Sequence, residues 1–260
     1  MKKFPTVAIS FLIIVILSVI SVFVFKSFFT PINSIKSFKD TSLSSKESVP
    51  EKTANPIFKK PVAKNEIPVG EEWFDDAIFI GDSLTEGISA YNLIDKNKVI
   101  ASTGINPQSI LTKACVKDIN GKTVTVLEAL SKLSPKKIYI MLGSNGVAFI
   151  PKDKMIELYG EFVDGVKKSH PDSQIYLQSI LPVTSQKENS DDRYANSKID
   201  EYNDAILKMA GEKEVYYLNI AESIKDANGC LPSSAGNDGM HFGPKIYNQW
   251  LDYLREHYIK

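Results

Sequence analysis

Ala77-Ile78-Phe79-Ile80-Gly81-Asp82-Ser83-Leu84 holds four consecutive apolar residues that break off at a glycine and two helix-capping residue types. Four apolar residues bounded by a turn read as a strand buried on both faces, and Ser83 to Tyr91 beyond the turn reads as a helix. The same unit recurs along the chain. Val99 to Ser102, Lys137 to Leu142, Gln174 to Ile180 and Val215 to Leu218 read as strands. Thr123 to Leu133, Lys154 to Lys168, Tyr194 to Met209 and Pro244 to Tyr258 read as helices. Alternation of this kind calls for an α/β fold, a mostly parallel five-stranded sheet between two layers of helices, with ligands bound beyond the carboxyl ends of the strands. The turns after the strands are therefore where chemistry is sought.

Around that unit the chain divides by composition. It has 260 residues, 43% hydrophobic and 24% charged, with 31 basic against 31 acidic side chains, so a core can form and bulk nucleic-acid binding has no electrostatic support. The balance conceals a net charge of +6 over residues 1–70 and −6 over residues 71–260. Thr6 to Phe25 is an uncharged run of 20 residues behind Lys2 and Lys3, long enough as a helix to cross a bilayer. It exceeds the ~7–15 apolar residues of a signal-peptide core, and Val22 to Phe29 offer no small-x-small cleavage site. Residues 1–30 are expected to be a cytoplasmic N-terminus and single-pass membrane anchor. Residues 31–70, with 7 Lys, 6 Ser and 5 Pro, are expected to be a disordered linker, and 71–260 one catalytic domain held outside the cytoplasm.

Two cysteines and three histidines exclude a disulfide-built miniprotein and a multi-ligand zinc module. Ser83 sits where backbone N–H groups and the helix dipole favour negative charge, as a nucleophile or as a plain N-cap. A nucleophilic serine needs a base and the base an orienting partner. His170 reads as a helix cap and His257 as an exposed residue of the last turn. His241 follows Asp238 by three residues in the Gly-flanked loop Asn237 to Gly243, a spacing that can set the carboxylate against one ring nitrogen and leave the other for the serine. A surface loop histidine and a metal ligand are its alternatives.

Gly81-Asp82-Ser83-Leu84, Gly104, Gly143-Ser144-Asn145 and Asp238-Gly239-Met240-His241 resemble, in order, the four blocks of the SGNH hydrolases, the GDSL esterase and lipase superfamily. The resemblance implies a flavodoxin-like three-layer sandwich and a serine esterase with no metal and no cofactor. It makes Ser83 the nucleophile, His241 the general base and Asp238 its partner, with an oxyanion hole from the N–H groups of Ser83 and Gly104 and the Asn145 amide. One departure is Gly146, where family members often carry Asp. The expected partner is an ester substrate, an O-acylated carbohydrate of the cell surface, with lipid acylhydrolase, carbohydrate O-acyltransferase and glycan-binding module as alternatives. The polar run Thr184 to Arg193, which follows Ser179 to Val183, reads as a rim loop over the site or as a plain surface loop, and Asn196 and Asn203 as one helix face that approaches the site or serves packing. Cys115 and Cys230 fall near loops on the presumed active side, as a disulfide or as two free thiols.

Overall fold

A computed structural model describes residues 55–260. The apolar run from Thr6 to Phe25 and the linker up to residue 54 lie outside the described residues, and no described helix is long and apolar enough to cross a membrane. The strands are β1 (Ala77–Gly81), β2 (Val99–Ala101), the short pair β3 (Val116–Lys117) and β4 (Thr123–Val124), β5 (Lys137–Met141), β6 (Gln174–Gln178) and β7 (Tyr216–Leu218). The helices are α1 (Ser83–Ala90), α2 (Val126–Leu130), α3 (Lys152–Ser169), α4 (Ser185–Ser190), α5 (Asn196–Lys213), α6 (Ala221–Ile224) and α7 (Pro244–Glu256). The main sheet runs β2-β1-β5-β6-β7 with every pairing parallel, the flavodoxin-like order.

Alternate residues of each central strand serve different layers, which is why β1 and β5 are buried throughout. Ile78, Ile80, Ile138, Ile140 and Leu177 meet Leu130 of α2, Tyr159 and Phe162 of α3 and Ile206 of α5. Phe79, Tyr139 and Tyr176 face the other way, toward Ile88 of α1 and Trp250 and Leu254 of α7. Phe79, Tyr139, Tyr176 and Tyr216 share one register across four strands, and their rings follow one another at 4.9, 4.9 and 5.2 Å between centroids.

That ladder corrects the expectation of a linker reaching residue 70. Phe58 adds a fifth ring 5.0 Å from Tyr216. The N–H of Val62 donates to Tyr217 O at 2.9 Å beside the edge strand β7, the Asn65 amide donates to the carbonyls of Glu256 and Tyr258, and Val69 N–H donates to Arg255 O. Residues 55–70 are tied down because the sheet edge and the end of α7 supply partners that composition does not reveal. The helix expected over Thr123 to Leu133 is shorter. Thr123 and Val124 pair with β3, and Thr125 then caps α2 in a reciprocal capping box with Glu128. His257, expected to be exposed, is 7% exposed: its ring stacks on Tyr253 and bonds Tyr253 O at 2.8 Å. His170 caps α3 as expected.

Candidate active site

β1 and β5 are neighbours in space with their next partners on opposite sides, so the turns that leave them diverge and open a crevice. Asp82 caps α1 from the first of these turns. Its Oδ1 accepts the N–H of Leu84 at 3.0 Å, and its Oδ2 accepts Asn145 Nδ2, from the turn after β5, at 3.0 Å. Asn145 Nδ2 also reaches Ile105 O at 3.4 Å, beside Gly104 in the turn after β2. One amide therefore joins the three turns that carry Ser83, Gly104 and Asn145. Gly104 itself takes φ +78°, with open space where a side chain would project. Asp82 is 1% exposed, and burial pushes its carboxyl up to about 6 against the opposing pull of Leu84 N–H, His241 and the Asn145 amide.

The histidine comes from the loop before α7. Asp238 Oδ1 accepts the N–H groups of Met240 at 3.0 Å and His241 at 2.8 Å, so one carboxylate oxygen shapes the loop. Its Oδ2 accepts from His241 Nδ1 at 2.6 Å, so the other oxygen holds the ring. Partial burial disfavours the Asp238 charge, but the Met240 N–H, the imidazole and the His241 N–H outweigh it and hold the carboxyl at about 2. With Nδ1 as donor, Nε2 is the acceptor, and Ser83 Oγ–H donates to it at 2.9 Å across 158 positions of sequence. The side chains of His241 and Asp238 are 54% and 56% exposed, so solvent reaches this relay directly.

Ser83, His241 and Asp238 are thus brought together, and Asn145 is bonded into the same turns. Gly146 leaves the Asn145 loop closed by backbone alone: Gly146 N–H and Val147 N–H donate to Gly143 O at 2.7 and 2.9 Å. A Cβ at 146 would lie 2.9 Å from Met155 Sδ, so the glycine fits its packing. Cys115 and Cys230 are unpaired. Two contributors escape a sequence reading centred on the nucleophile. Asp82 bridges to Asn145, signalled only by its helix-capping residue type. Thr184, just before α4, donates its N–H to Gly239 O at 2.9 Å and braces the histidine loop.

The sequence model of the GDSL-like lipase/acylhydrolase family matches residues 79–249, from β1 into α7. The chain belongs to this family. It is a hydrolase acting on ester bonds. Among solved structures, this GDSL hydrolase is similar to a Streptococcus pneumonia protein named for platelet activating factor, at 22% identity and TM-score 0.55, over 69% of this chain and 81% of that one. It is also similar to a GDSL-like lipase of Bacteroides thetaiotaomicron, at 19% and 0.52 over 68% and 84% of the two chains. A Bacteroides fragilis protein named as an acylhydrolase gives 18% and 0.53 over 68% and 83%. At these identities the likeness is one of fold. Among curated proteins none matches the chain.

Proposed function

We propose that this GDSL hydrolase is a serine esterase that removes small acyl groups, such as acetyl, from carbohydrate outside the cytoplasm. The observation that carries the mechanism is the relay of 2.9 Å from Ser83 Oγ to His241 Nε2 and 2.6 Å from His241 Nδ1 to Asp238. Ser83 Oγ attacks the ester carbonyl while His241 Nε2 takes its proton, and Asp238 stabilises the imidazolium that forms. The carbonyl oxygen becomes an oxyanion, met by the N–H groups of Ser83 and Gly104 and by the Asn145 amide, which Asp82 holds in the crevice and which exchanges its 3.4 Å contact to Ile105 O for one to the oxyanion. His241 passes its proton to the departing alcohol. Water, entering through the open side of the relay, then gives a proton to His241 as its oxygen attacks the acyl carbon, and His241 returns that proton to the departing Ser83 Oγ, releasing the acid.

A polar substrate is supported by a pair of side chains, one from the loop after Asn145 and one just before α5. Phe149 is 66% exposed with the Arg193 guanidinium 5.1 Å from its ring, an aromatic and a cation side by side, which suits a sugar better than a long alkyl chain. Placement outside the cytoplasm is supported by the uncharged run from Thr6 to Phe25 behind Lys2 and Lys3, read as a single-pass anchor. The test is hydrolysis of chromogenic esters from acetyl upward, and of O-acetylated polysaccharide, beside Ser83→Ala. We expect acetate release that falls by about 10⁴-fold or more in the variant. Activity that survives Ser83→Ala, or a peak at eight or more carbons, is the opposing result.

A further inference from the structure

Asn196 and Asn203, seven residues apart on α5, hold one short segment at both ends. Asn203 Oδ1 accepts the N–H of Ile180 at 2.7 Å and its Nδ2 donates to the carbonyl of the same residue at 2.9 Å. Asn196 repeats this at Val183, with 2.9 Å to the N–H and 3.0 Å to the carbonyl. Each amide satisfies both backbone groups of one residue, as a neighbouring strand would, in a stretch that has run past the end of β6. The four residues from Ile180 to Val183 are all buried and form one wall of a small cleft. Its other walls include Leu84, Ser144 and Met240, the immediate neighbours of Ser83, Asn145 and His241. The free space is about 10 Å³, room for one water-sized group. Ser144 Oγ is buried there without a hydrogen-bond partner. Ile180 is pressed against Gly143, where φ is +137° and a Cβ would lie 2.4 Å from Ile180 Cδ1, so the isoleucine has nowhere to retreat.

We infer that this cleft is an acyl subsite sized for acetyl, that Ile180 sets the limit on chain length, and that Asn196 and Asn203 are positioning residues that keep the wall from yielding. The inference rests on the serine-esterase reading above. A methyl group is close in size to the water the cleft can hold. Each further methylene must displace a wall pinned through its backbone. One methylene in an apolar pocket is worth roughly 10–200-fold in kcat/KM.

The experiment measures kcat/KM of the full chain on 4-nitrophenyl acetate and butyrate and takes the butyrate-to-acetate ratio, which is independent of the fraction of active protein. Wild type is expected at about 0.1 or below, with the ratio rising at least about tenfold in Ile180→Ala and in Asn203→Ala. Ile180→Val removes one methyl group and serves if the larger truncations do not fold, with a rise of about threefold expected. A wild-type ratio near or above one overturns the inference, as does an unchanged ratio in the Ile180 variants. A merely structural Asn203 would lower thermal stability and leave the ratio alone. Ser83→Ala, run on both esters, separates the two failures: activity lost there with no chain-length discrimination sinks the subsite and spares the esterase.

Discussion

Burial pushes Asp82 up to about 6 while hydrogen-bond donors hold Asp238 at about 2, and both carboxylates feel the charge of His241. Their effects on stability have opposite signs. Asp82 has a folded-state pKa above its ordinary 3.8, so between 3.8 and 6 the folded protein holds more protons than the unfolded chain. Its contribution is greatest below 3.8 and declines by on the order of 3 kcal/mol as pH rises to 6. Asp238, depressed, contributes above 3.8 and loses that contribution as pH falls toward 2. Asp82→Asn is therefore expected to flatten the profile of melting temperature against pH between about 4 and 6 while leaving the loss below 4 in place. An unaltered slope from thermal melts across that range would count against the buried-acid account. This opposition was not legible in Gly81-Asp82-Ser83-Leu84, because burial of a carboxylate depends on the turns packed over it.

Among the elements, local chemistry was readable where it did not depend on partners. The strands around Phe79, Tyr139 and Tyr176 announce themselves as apolar runs because both faces are covered. α4, Ser185–Ser190, has no apolar periodicity at all and is held by Thr184 and its contact to Gly239, so no pattern marks it. α2 is an intermediate case. Thr123-Val124 suits a strand and Thr125-Val126-Leu127-Glu128 spells a capping box, a signal that the longer apolar run obscures. Thr125→Ala is expected to cost about 1 kcal/mol in denaturant unfolding, because the cap closes a helix distant in sequence from the relay. Ester hydrolysis by the folded fraction should be unchanged. His257 also carried a usable signal, since it extends the face of Trp250 and Leu254 by helical spacing, and the structure buries it.

For the whole molecule, the segment before β1 belongs to the domain. A chain starting at residue 71 lacks Phe58 at the end of the aromatic ladder, the Val62 bond to β7 and the Asn65 bonds to Glu256 and Tyr258. We expect it to melt on the order of 10 °C below a chain starting at residue 55, measured by thermal denaturation of both. Equal melting temperatures would show that the strap adds nothing. Reading residues alone was enough to establish the alternation of strands and helices, the layered class that follows from it, and the residue types able to carry acyl chemistry. These are local matters, set by apolar spacing, capping preference and side-chain functional groups within a few positions. Tertiary structure alone decided that β1 lies beside β5, that Ser83 meets His241 at 2.9 Å, and that Asn203 pins Ile180. Those contacts join positions 23 to 158 residues apart, and they follow from how twisted strands and their crossover helices close around one core.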